Sequence, residues 1–138
     1  MTQVRDIMQK NVITIDHDKT ALEGAVMLKE KDISFLVIIK DNKPSGIVSE
    51  RDIVRKIAAE DLTSSSIKLE EIMSKKYKWV EPNTKVEFAV QKMINNNIRR
   101  LLVLENENLV GVITQTDLAE VLRSKLLING TLENIESK

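Results

Sequence analysis

The sequence predicts an α+β fold: two tandem βαββα repeats (a pair of like motifs, residues 1–63 and 64–138) packed through their sheets with pseudo-two-fold symmetry. Three observations carry this. The stretch Gly46-Ile47-Val48-Ser49-Glu50-Arg51-Asp52 returns once, as Gly111-Val112-Ile113-Thr114-Gln115-Thr116-Asp117. Residues 33–54 and 98–119 align without gaps at an offset of 65, and Ile33, Leu36, Gly46 and Asp52 meet identical residues at Ile98, Leu101, Gly111 and Asp117. A repeat of this size makes a marginal core alone, which favours two copies burying their apolar faces together.

The elements follow in order. Val4-Arg5-Asp6-Ile7-Met8 is a short apolar stripe at helical spacing. Val12-Ile13-Thr14-Ile15 is rich in β-branched residues and predicts a strand. Thr20 with Glu23 reads as a capping box opening a helix to about Lys31. Ile33–Ile39 is a nearly continuous apolar strand, and Asp41-Asn42-Lys43-Pro44 is a turn that returns the chain as a second strand to Ser49. The next helix should bury Ile53, Val54, Ile57 and Ala58 on one face. Ser64-Ser65-Ser66 reads as a linker.

The pattern then restarts. Leu69–Met73 parallels Val4–Met8, and Trp79-Val80 takes the places of Thr14-Ile15. Thr84 with Glu87 suggests another capping box. Matching it to Thr20 requires one residue to be dropped near Lys19 and regained inside the helix. Val86, Ala89, Val90 and Met93 form an amphipathic face, Ile98–Leu104 and Leu109–Thr114 a hairpin. The last helix carries Leu118, Val121, Leu122 and Leu126, stops near Asn129-Gly130 and leaves a frayed tail over 131–138.

Composition removes several function classes. Lysine plus arginine equals aspartate plus glutamate at 21 each, so no broad electrostatic argument favours nucleic acid or a membrane surface. Cysteine is absent and His17 is the sole histidine, which leaves no thiolate nucleophile and no cysteine or histidine metal cluster. No apolar run is long enough to span a membrane and no signal-peptide core opens the chain, so the expectation is a cytoplasmic protein without a membrane partner. No nucleophile–base pair or Walker-type glycine loop is present, and the chain is read as a non-enzyme requiring no cofactor.

The chemistry centres on the repeated junction. A β-branched pair leads from a glycine into Ser49 or Thr114, and an aspartate follows three positions later. That is a strand running into a capped helix, where free backbone N–H groups and the helix dipole suit an anion. The same residues read equally as plain capping boxes. Arg51 sits in the first helical turn, unfavourable to the dipole unless an anion is near, and Thr116 takes its place in the second copy. Arg99 and Arg100 open a strand on opposite faces, so one of them could clamp a phosphate. Lys75, Lys76 and Lys78 read as a solvated loop, and the methionines as core filler.

The pattern of Ile13-Thr14-Ile15, Ile33–Ile38 and Gly46–Asp52, repeated at Ile98–Val103 and Gly111–Asp117, resembles the cystathionine-β-synthase (CBS) domain family. Chains with two such motifs form one unit called a Bateman module. The resemblance implies a regulatory domain that binds AMP, ADP, ATP or S-adenosylmethionine in the clefts between motifs. It implies ribose on Asp52 or Asp117, ribose or phosphate on Ser49 or Thr114, and adenine near Thr14, Ile33 and Ser34 or near Ile98. Trp79 departs from the pattern by replacing the threonine of the first copy, either as a stacking surface or as a plug. The expectation is a stand-alone sensor that pairs into a homodimer and signals to a protein partner. Its alternative is a ligand-free protein–protein or nucleic-acid adaptor.

Overall fold

The computed structural model describes residues 2–128, with side chains as far as Ser124. A one-turn helix α1 (Val4–Ile7) precedes the first run of elements: β1 (Thr14–Asp16), α2 (Ala21–Lys31), β2 (Phe35–Lys40), β3 (Lys43–Ser49) and α3 (Glu50–Asp52). A second one-turn helix, α4 (Leu69–Ile72), precedes β4 (Trp79–Val80), α5 (Val86–Asn96), β5 (Arg100–Glu105), β6 (Asn108–Thr114) and α6 (Gln115–Ile128). Each run makes a three-stranded sheet, β1-β2-β3 or β4-β5-β6, whose first two strands are parallel. β2 and β3 form an antiparallel hairpin through Asp41 and Asn42, both at positive φ. Asparagine and aspartate tolerate that region better than most residues. The expected stop at Asn129-Gly130, the tail 131–138 and the Leu126 side chain lie outside the described residues.

The chain forms two compact units. One holds residues 11–77 with 106–109; the other holds 2–10, 78–105 and 110–128. In the first, Ile15, Leu28, Leu36, Ile38, Val48, Leu69 and Ile72 share a buried core. In the second, Val4, Val80, Ala89, Met93, Leu101, Val103 and Ile113 do so. Each one-turn helix thus packs in the other run's unit, α4 in the first and α1 in the second. Backbone bonds fix this. Leu69 N–H donates to Lys19 C=O at 2.8 Å and Ala21 N–H to Ile67 C=O at 2.7 Å. Val4 N–H donates to Thr84 C=O at 2.8 Å and Val86 N–H to Thr2 C=O at 3.2 Å.

These bonds correct the expected alignment. Residues 2, 4, 19 and 21 correspond to 67, 69, 84 and 86, so the offset of 65 runs on through the helix starts and no residue is dropped. Thr20 caps α2 by accepting from Glu23 N–H at 3.1 Å. Its counterpart is Lys85, which caps α5 without a side-chain bond. Thr84 lies one residue too early. Its carbonyl is taken by Val4, and its Oγ1 accepts from Glu81 N–H at 3.2 Å, closing the preceding turn. The Thr84–Glu87 capping box does not form, because pairing with the N-terminal segment sets where the helix begins.

A second correction concerns the helix after Ser49. Beyond Asp52 it widens into a π-helix, Ile53–Ala58, with Ala59 N–H donating to Val54 C=O at 2.8 Å. The wider turn breaks the expected face: Ile57 is buried, but Val54 is 60% exposed and Ala58 lies in solvent. In α6, Leu122 is also 60% exposed.

Candidate functional site

The two strand–helix junctions are built alike. Ser49 N–H donates to Asp52 Oδ2 at 2.8 Å, Ser49 Oγ–H to the same oxygen at 3.1 Å, and Asp52 N–H to Ser49 Oγ at 3.3 Å. Thr114 N–H donates to Asp117 Oδ2 at 2.9 Å, and Asp117 N–H to Thr114 Oγ1 at 3.2 Å. Both expected capping boxes form. The next amide is taken as well: Glu50 N–H donates to Ser34 C=O at 2.9 Å and Gln115 N–H to Arg99 C=O at 2.8 Å. The junctions therefore bring Ser34, Ser49 and Asp52 together in one unit, and Arg99, Thr114 and Asp117 in the other.

The glycine that leads each junction makes room for a neighbouring segment. A Cβ on Gly46 would stand 2.6 Å from Met73 Sδ and 2.9 Å from the Ser74 carbonyl oxygen. On Gly111 it would stand 2.6 Å from Met8 Sδ and 3.0 Å from the Gln9 carbonyl oxygen. The adjoining residues pair in both directions, Ile47 with Ser74 and Val112 with Gln9. Met8 and Met73 fill the space over the missing side chains, a more specific role than general core filling.

The carboxylates differ in what else they hold. Lys56 Nζ stands 3.1 Å from Asp52 Oδ1 and donates to the Ile72 carbonyl at 2.7 Å. Gln9 Nε2 stands 3.0 Å from Asp117 Oδ1 and 3.3 Å from Oδ2. Sequence reasoning missed both partners. Lys56 is four residues beyond Asp52, a helical ion-pair spacing that could have revealed it. Gln9 is 108 positions from Asp117, and no local signal links them.

The expected site residues differ in exposure. Ile33 and Ile98 lie partly buried against their units' cores. Ser34, Arg51, Arg99 and Thr116 are exposed; Arg100, at the start of β5, is partly buried. Thr14 lines a hollow of about 350 Å³ with Asp16, Ile39, Asp41 and Asn42. Trp79 pairs with Leu102 as Thr14 pairs with Val37, which supports the positional match. It is 44% exposed, with Lys92 Nζ 5.9 Å from its ring centroid and 2.7 Å from its carbonyl oxygen. His17, the sole histidine, joins two segments of its unit: Nδ1 donates to Glu70 Oε2 at 2.9 Å. That bond holds the Glu70 carboxyl below the usual carboxylate range.

Both carboxylates are acceptors, matched to the hydroxyl donors of a diol. A carboxylate offers about four lone-pair sites; Asp52 gives three to Ser49 and Lys56, and Asp117 gives three to Thr114 and Gln9, so a diol must displace a side chain at either one. The Asp52 side chain is 17% exposed, so a hydroxyl can still reach it. Among the described residues, no group of three or more His, Asp or Glu side chains is placed to hold a metal ion, and no helix is long and apolar enough to cross a membrane.

Comparison with known proteins agrees with this architecture. The family model for the CBS domain matches twice, at residues 4–59 and 69–124. A Methanopyrus kandleri protein is 33% identical over 120 residues, covering 86% of this chain but only 61% of its own length. The CBS domain-containing protein YhcV of Bacillus subtilis is 29% identical over 98% of this chain and 96% of its own. Among solved structures, the CBS domain pair of protein MJ0100 in complex with 5′-methylthioadenosine and S-adenosyl-L-methionine superposes with a TM-score of 0.79 at 28% identity, covering 91% of this chain and 98% of that one. The chain belongs to the CBS domain family and carries two copies of its motif.

Proposed function

We propose that this chain is a non-catalytic regulatory module that binds an adenosine-containing ligand, with ribose hydroxyls on Asp52 or Asp117, and signals to a partner protein in the cytoplasm. The observation that carries the reading is the pair of carboxylates fixed at equivalent strand–helix junctions, each within reach of solvent. Two vicinal hydroxyls donating to one carboxylate make charge-assisted bonds worth about 1.5–3 kcal/mol each. The adenosine ligands of the MJ0100 pair support the ligand class. In this reading Ser49 or Thr114 contacts ribose or phosphate, and Arg51, Arg99 or Arg100 supplies a cation for the phosphates.

The test is a thermal-shift panel of AMP, ADP, ATP, S-adenosylmethionine, NAD and single-stranded nucleic acid, followed by titration of AMP against its 2′-deoxy analogue. A ligand at 100 times its dissociation constant adds about 2.7 kcal/mol of stability. The expected result is tighter binding of AMP than of the analogue, lost in Asp52→Asn or Asp117→Asn. Equal binding of the two compounds refutes the role of the carboxylates. A shift with no adenosine compound favours the ligand-free adaptor instead. For the signalling step, no protein recovered in a ligand-dependent manner would count against it.

A homodimer is part of the proposal. The α5–α6 side of the second unit carries a groove of about 710 Å³ walled by Val90, Ile94, Leu118 and Leu122. Ile94 is 66% exposed, an apolar surface suited to a second copy. Light scattering that returns a monomer at tens of micromolar, on the order expected for weak pairs, refutes it.

A further inference from the structure

The two carboxylates are tied to different parts of the chain, and this bears on how a ligand would reach them. In the second unit the tie is Gln9. Its backbone is held by a two-way bridge, Gln9 N–H to Val112 C=O at 2.8 Å and Val112 N–H to Gln9 C=O at 3.0 Å. Met8 is seated on Gly111 beside it. With the backbone so placed, the side-chain amide spans both oxygens of Asp117, at 3.0 and 3.3 Å.

The first unit has the same bridge at the equivalent residue, Ser74, which exchanges bonds with Ile47 at 3.0 and 2.8 Å. The Ser74 side chain makes no bond to Asp52. The carboxylate is held instead by Lys56, from the same helix, which also anchors the Ile72 carbonyl. A cation on that helix can stay beside a ligand phosphate. A neutral amide supplied by another segment competes for the carboxylate directly.

We propose that Gln9 gates the second-repeat site: its amide occupies the acceptor positions of Asp117 that two vicinal hydroxyls require, so ligand arrival there and release of the segment around Gln9 are one event. The proposal rests on the adenosine reading above. It makes the two sites unequal without any difference in their capping boxes. It also gives the second site an output, the freeing of the N-terminal segment from β6. Removing a competing hydrogen bond of ordinary net strength should tighten ligand binding about fivefold.

The experiment uses the full chain carrying Asp52→Asn, so that only the second site is read, with AMP as the probe. Calorimetric titration compares this chain with the same chain bearing Gln9→Ala, Gln9→Asn (too short to span both oxygens) or Asp117→Asn. Amide exchange at Gln9 and Val112 is followed with and without AMP, and melting curves check that each variant is folded. The expected result is that both Gln9 variants bind AMP about fivefold more tightly, that Asp117→Asn binds weakly, and that AMP accelerates exchange at Gln9 and Val112 severalfold. Asp117-dependent binding that neither Gln9 variant tightens overturns the gate and leaves the adenosine reading intact. Tightening without faster exchange overturns the coupling to the N-terminal segment. Binding indifferent to Asp117→Asn, or no binding by any variant, overturns the reading at this site and the gate with it.

Discussion

The cores of the two units solve one packing problem in opposite ways. In the first, Leu69 from α4 lies over Gly24 of α2, and a Cβ on that glycine would stand 2.8 Å from Leu69 Cδ2. In the second, the equivalent positions are Val4 and Ala89, both fully buried in the same core. The larger residue on the one-turn helix goes with the smaller on the long helix, and the reverse. The sum of volumes is held roughly constant across the pair, as dense packing requires. The repeats have diverged in sequence while keeping the space between two elements filled.

The difference can be broken from either side. Leu69→Ala removes a side chain with no exposure and leaves a cavity over Gly24, which has no side chain of its own to fill it. It should cost about 2–5 kcal/mol, and Val4→Ala should cost less. Urea unfolding of both variants measures this; an equal or larger loss for Val4→Ala contradicts the packing account. Gly24→Ala comes next, at about 1–3 kcal/mol from overpacking, and adding Leu69→Val should recover much of it by copying the second unit's solution. Strict additivity of the two changes would show that the positions do not compensate.

The junction glycines sharpen the comparison further. Gly46→Ala meets a backbone oxygen at 2.9 Å and Gly111→Ala one at 3.0 Å, in addition to methionine sulfur in each case. Both should destabilise by about 1–3 kcal/mol, with Gly46→Ala the worse, as read by thermal melts. Shortening Met73 or Met8 relieves the methionine contacts but not the carbonyl one, so a full rescue by Met73→Ala would show that the backbone is not the obstacle.

The smallest effect expected is at Glu70. Its carboxyl is held below the usual range by the His17 hydrogen bond, so the bond's contribution is present above the unfolded carboxylate range and is lost as pH falls through the lowered folded value. The stability difference between wild type and Glu70→Gln should therefore shrink below about pH 4. The second unit has no such pair at the equivalent place, where Pro82 stands for His17 and Arg5 for Glu70. A difference constant from pH 7 to 3 would sink this account.

Much of the molecule was legible beforehand for local reasons. The hairpins follow from apolar runs separated by Asp41-Asn42 and Asn106-Glu107, and the junction caps from Ser49 with Asp52 and Thr114 with Asp117. Errors arose where distant pairing overrode a local motif. Thr84 with Glu87 satisfies the capping-box pattern, yet Lys85 begins the helix because residues 2–4 pair with 84–86. Val54 fits a helical face, yet the π-helix turns it outward. At the site, the carboxylates were readable but their occupants were not. Lys56 lies one helical turn away and was within reach of a local rule, whereas Gln9 is brought in by a bridge to β6.

By itself, the sequence determined the repeat, its period, the order of its elements and the two capped junctions, because each depends on residues a few positions apart. Tertiary structure alone decided that Val4 packs with the second repeat and Leu69 with the first. It also decided that glycine is needed at 46 and 111 to admit a methionine and a passing backbone, and that Asp117 is held by a glutamine while Asp52 is held by a lysine. Those contacts join residues far apart along the chain. Side-chain volume, backbone pairing and the reach of a single amide settle them only once the segments have met.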